Sequence, residues 1–118
     1  MSEDLLDYWI RIIKPLFPEN AWIASRLAGG NHFIQIDWSC HNDPDQPNKR
    51  SRMIEITIKE AVIDDYLDRD KNGRSLSDSN MLQWISEQYH QFKLDDDTRT
   101  YKPATPAVWH ITKAVLHP

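Results

Sequence analysis

Isoleucines recur at every second position in two stretches of this chain, Ile34-Gln35-Ile36 and Ile54-Glu55-Ile56-Thr57-Ile58. Around them Phe33, Gln35, Asp37 and Trp38, and Met53, Glu55, Thr57 and Lys59, complete an alternation of period two. Successive side chains of a strand point to opposite faces, so this pattern predicts strands over 33–38 and 52–59 with one dry and one mostly wet face. Residues 21–28 form a further strand, and Gly29-Gly30-Asn31-His32 supplies the backbone freedom of a tight hairpin between it and 33–38.

Elsewhere the period is helical. Leu5, Leu6, Trp9, Ile12, Ile13 and Leu16 share one face of a first helix. Ser2 is placed to cap it, and Pro15 and Pro18 are placed to end it. After Lys59 a short helix carries Ala61, Val62, Tyr66 and Leu67. A helix over roughly 78–93, capped by Ser77 or Ser79, presents Met81, Leu82, Ile85, Tyr89 and Phe92, with Trp84 at the margin. In 106–116 Val108, Ile111 and Val115 keep helical spacing after Thr105-Pro106, while Val, Trp, Ile and Thr also suit an edge strand.

The expected fold is α+β: a three-stranded antiparallel sheet packed on one face by helices, in the order α-β-β-β-α-α with a C-terminal helix or edge strand. The 118 residues are expected to form one domain, with a core of Leu5, Trp9, Ile12, Ile34, Ile36, Ile54, Ile56, Ile58, Leu82 and Ile85.

Composition narrows the class. The chain is 40% hydrophobic and 27% charged, the balance of an ordinary globular protein. No run approaches the ~18 apolar residues of a membrane span, and the acidic start Met-Ser-Glu-Asp lacks the basic flank of a signal peptide. Cys40 is the one cysteine, so no intrachain disulfide forms, and a cytoplasmic location is expected. Net charge is −4, but residues 60–97 hold ten acids against four bases, and 98–118 hold three bases and no acid. The whole-chain field therefore does not favour nucleic acid or anionic lipid.

The sharpest local signature is Asp68-Arg69-Asp70-Lys71-Asn72-Gly73, the D-x-D-x-N-G half of a calcium loop. Alternate oxygen side chains can converge on one hard cation, with glycine at the turn. The loop's twelfth position is Ser79 where a bidentate Glu is required, so Asp68, Asp70 and Asn72 define at most a weak calcium site. The alternative reading makes Asn72-Gly73 a helix stop in the left-handed conformation.

Cys40-His41 and the set His41, Asp43 and Asp45 match no nucleophile or zinc spacing, and no glycine-rich phosphate loop, G-x-S-x-G or H-E-x-x-H is present. The function expected is a small non-catalytic protein-binding or adaptor domain. Its contact region is expected at the polar 39–50 connection, with Trp38, Lys49, Arg50 and Arg52.

The rival reading is a nucleic-acid-binding module, in which Lys49, Arg50 and Arg52 hold phosphates beside Trp22, Phe33 and Trp38. The element order is similar to that of double-stranded RNA-binding domains in topology. The helix after the third strand, however, is acidic (Glu60, Asp64, Asp65) where phosphate contact calls for lysine.

Overall fold

The chain begins with α1 (Leu5–Ile13), followed by one 3₁₀ turn (Lys14–Leu16). The strands β1 (Trp22–Ala28), β2 (Asn31–Asp37), β3 (Arg50–Ser51) and β4 (Ile54–Lys59) come next, then the helices α2 (Glu60–Leu67) and α3 (Lys71–Leu94). β5 (Arg99–Thr100), β6 (Ala107–Ile111) and α4 (Lys113–Leu116) complete the order. These elements are taken from a computed structural model that describes residues 5–38, 50–94, 99–100 and 106–118. The fold is α+β, with helices packed against one face of the main sheet.

That sheet has four strands in the order β1-β2-β4-β6, one more than the pattern predicts. β1, β2 and β4 run antiparallel, and β6 joins parallel to β4. The hairpin forms at Gly29 and Gly30, whose φ values of 59° and 75° lie in the region that glycine enters without a Cβ penalty. Register then sorts every side chain. Ser25, Ile34, Ile56 and Trp109 form one row across the four strands, flanked by Ile23, Ile36, Ile54 and Ala107 and by Leu27, His32, Ile58 and Ile111. These rows face the helices, and all five isoleucines of β2 and β4 are fully buried.

The segment 106–116 is a strand followed by a short helix, not one helix. Its helical spacing competes with an alternation that places Trp109 and Ile111 inward and Val108 and His110 outward. Strand wins because β4 offers an unpaired ladder beside three buried isoleucines. The α2–α3 pair forms the crossover that a parallel connection requires. The strand expected over 52–59 begins at Ile54, and Arg50–Ser51 pairs separately with β5.

The long helix α3 starts at Lys71, well before the Ser77 or Ser79 cap that the sequence offers. Asp70 is the cap: its Oδ1 accepts the Gly73 amide at 2.7 Å, and its carbonyl accepts the Arg74 amide. Asn72 and Gly73 therefore lie in the first helical turn and are not a left-handed stop. One good cap outweighs the ~1 kcal/mol propensity cost of a helical glycine. Ser77 instead turns inward, fully buried, and donates to the Gly73 carbonyl while meeting Nε2 of His117. With Asn80 Nδ2 donating to the Leu116 carbonyl at 2.8 Å, this fastens α4 to α3.

The core between sheet and helices contains Trp9, Ile85 and the five strand isoleucines, as expected. Leu5, Ile12 and Leu82 pack against it only partly buried; Leu6 and Ile13 of α1 and Met81 of α3 take the deep positions. A second aromatic group closes the far end, where Phe17, Trp38, Tyr89, Phe92 and Trp109 stack or meet edge to face at centroid distances of 4.8–6.5 Å. No described helix is long and apolar enough to cross a membrane.

Candidate functional site

Two features of the described surface carry chemistry. The first is the outer edge of β1. This strand lies at the end of the sheet and pairs with β2 on one side only; no described strand lies along its other side. Its outward row begins at Arg26 and continues through Phe33 and Thr57 to His110, while Trp22 stands beside Asp37. No described helix covers this face.

Arg26 lies over the Phe33 ring at 4.3 Å and 3.9 Å from a Glu55 carboxylate oxygen, which holds the guanidinium over its own sheet. Gln35 Nε2 donates to the same Glu55, and Thr57 Oγ1 meets His110 Nδ1. At the two ends of the strand, Trp22 is 51% exposed on the outer face and Leu27 is 65% exposed on the other.

The second feature is a carboxylate hub. Asp78, on α3, accepts three hydrogen bonds from two other helices: Tyr8 Oη at 2.8 Å and Trp9 Nε1 at 3.1 Å from α1, and Tyr66 Oη at 2.9 Å from α2. The Trp9 and Tyr66 rings meet edge to face at 5.1 Å. Burial, and then the Asp78 hydrogen bond and negative charge, push the Tyr66 hydroxyl far above its ordinary range; burial also raises Tyr89.

The raised Tyr66 value sets a pH dependence. The folded state disfavours the phenolate relative to the unfolded chain. This contribution is therefore complete below the ordinary tyrosine value near 10 and is lost as pH rises through the folded-state value. Urea unfolding between neutral and strongly alkaline pH is expected to show a plateau and then a falling limb. Tyr66→Phe is expected to lower the plateau by about 1.5 kcal/mol, the worth of a hydrogen bond to a charged group, and to flatten the fall. An unchanged alkaline limb would assign the fall elsewhere.

The hub lies beside an open cleft of about 540 Å³ walled by α1, α2 and the first turns of α3. Lys71, Arg74, Ser75 and Asp78 enter it from α3, at spacings of three, four and seven residues that share one helix face. Leu5 and Leu67 are its apolar lips.

The residues singled out by sequence are not brought together. Trp38 is 8% exposed, and its ring packs among Phe17, Tyr89 and Phe92. Its amide donates to Ser51 Oγ, and its carbonyl accepts the Ser51 amide. It is a core residue and not a surface anchor, because it follows directly on β2 and continues the inward alternation of Ile34 and Ile36 into the aromatic end of the core. Arg50 contributes backbone pairing to β3, and Arg52 is half-buried. Lys49 lies outside the described residues, as do Cys40, His41, Asp43 and Asp45.

Of the calcium-loop residues, Asp68 ends α2, Asp70 caps α3, and Asn72 is inside that helix. The twelve-residue loop that would wrap a cation is helix from Lys71 onward. Among the described residues no three His, Cys, Asp or Glu side chains converge as a metal cluster.

The role of Asp78 is not legible in the sequence because its partners Tyr8, Trp9 and Tyr66 lie 70, 69 and 12 positions away. One usable signal existed: it is an acid three residues before Met81 and seven before Ile85, on the apolar face of its helix. Trp22 was visible as an aromatic on a strand, but its exposure was not. No family model, curated protein or solved structure matches this chain.

Proposed function

We propose that this chain is a non-catalytic binding protein that takes up an extended segment of a protein partner along the outer edge of β1. The observation that carries this reading is the seven-residue edge strand with Trp22 and Leu27 exposed at its ends. A free edge presents unpaired N–H and C=O groups that another chain's backbone can complete. Edges that must stay unpaired are commonly blunted by lysine, proline or a bulge. Trp22-Ile23-Ala24-Ser25-Arg26-Leu27-Ala28 contains no lysine or proline, and its one cation is turned back onto Phe33. Trp22 offers a large anchor on the outer face and Leu27 an apolar contact on the inner one, so an added strand meets alternating recognition along its length.

The test is selection of peptides on the immobilised chain, followed by amide hydrogen exchange of the complex. Bound peptides are expected to slow exchange along β1, and Trp22→Ala and Leu27→Arg to weaken binding tenfold or more without lowering stability. Binders that leave β1 exchange unchanged would refute this reading.

A further inference from the structure

The cleft beside Asp78 holds opposite charges in an order that suits one kind of ligand. Asp78 accepts three hydrogen bonds, two at Oδ1 and one at Oδ2. A carboxylate offers about four acceptor positions, so one remains, backed by a full negative charge. Arg74 stands one helical turn earlier on the same face. Such a pair four apart commonly forms a salt bridge. Here Arg74 instead gives Nη1 to the Arg69 carbonyl at 2.6 Å, which fixes its guanidinium and leaves its other N–H donors for a ligand. The Ser75 hydroxyl and the Lys71 ammonium belong to the same cation-bearing end.

We propose that this cleft binds a free α-amino acid with an apolar side chain. The ammonium pairs with Asp78, the carboxylate with Arg74 and Ser75, and the side chain lies between Leu5 and Leu67. A simple anion would leave Asp78 facing it, and a simple amine would leave Arg74 and Lys71 facing it; a zwitterion answers both ends. Arg74 and Asp78 lie one helical turn apart on one face of α3 and both line the cleft, so a single small ligand can meet both charges. Tyr8, Trp9 and Tyr66 are positioning residues that orient the carboxylate without meeting the ligand's carboxylate.

The test follows the Trp9 indole N–H resonance of the full chain, which reports directly on Asp78. Three probes are titrated: L-leucine, leucinamide and 4-methylpentanoate. Leucine is expected to shift the resonance saturably in the millimolar range or below, as about nine non-hydrogen atoms allow. Each analogue, lacking one charge, is expected to bind tenfold or more weakly. Arg74→Gln, a change on the half-buried rim, is expected to weaken leucine tenfold and leave leucinamide unchanged.

Leucinamide binding as well as leucine would overturn the proposal in favour of a peptide amino terminus. Equal binding of 4-methylpentanoate would overturn it in favour of a plain carboxylate. The absence of any shift with leucine at millimolar concentration would overturn it outright.

Discussion

Trp9→Ala is expected to lower the unfolding free energy by about 3–5 kcal/mol, measured by urea denaturation followed by circular dichroism. The side chain is fully buried, so its removal opens a large cavity among Leu6, Ile13 and the sheet isoleucines. The edge-to-face contact with Tyr66 goes with it, worth about 0.5–1.5 kcal/mol beyond burial, and so does the indole donor to Asp78. Domains of this size have roughly 5–15 kcal/mol to lose, so the variant should be marginal at room temperature. A loss below about 1 kcal/mol would mean that Trp9 does not occupy the centre of the core.

Asp78→Ala is the second large effect, expected at about 3 kcal/mol, with Asp78→Asn losing less because an amide oxygen still accepts. The cost arises from what is left behind: two phenol hydroxyls and an indole N–H lose their acceptor in a partly buried site. The three donors act as a unit, so the losses should not add. Tyr66→Phe in the Asp78→Ala background is expected to cost almost nothing, whereas it costs about 1.5 kcal/mol in the parent chain. Additive losses in that double-mutant cycle would show that Tyr66 and Asp78 contribute independently, contrary to the hub.

The two features of interest were legible to different degrees. The facing of β1 follows from the hairpin: once Gly29-Gly30 is read as a turn and Ile34 and Ile36 as inward, the outward positions of β1 and β2 are fixed. Which strand ends the sheet was not legible, because that depends on what else pairs with β4. The error over Trp38 has the same origin. Alternation placed it on the isoleucine side, but its depth depends on Tyr89 and Phe92, which arrive from α3 some fifty residues later. The start of α3 at Lys71 differs from the expected start near residue 78 because Asn72-Gly73 carries strong turn chemistry, and the Asp70 cap just before it overrides that chemistry.

What the sequence determines alone is local and periodic. Every second isoleucine commits two segments to strands with one dry face, paired glycines turn one strand back on its neighbour, and threefold and fourfold spacing gives α1 and α3 their buried stripes. These follow from backbone geometry and from water's exclusion of apolar surface. The parallel docking of β6 beside β4, the sealing of Trp38, the edge left open at β1 and the gathering of three donors around Asp78 belong to the tertiary structure. Each joins groups far apart along the chain, and no local spacing encodes which distant partner will satisfy a hydrogen bond or fill a void.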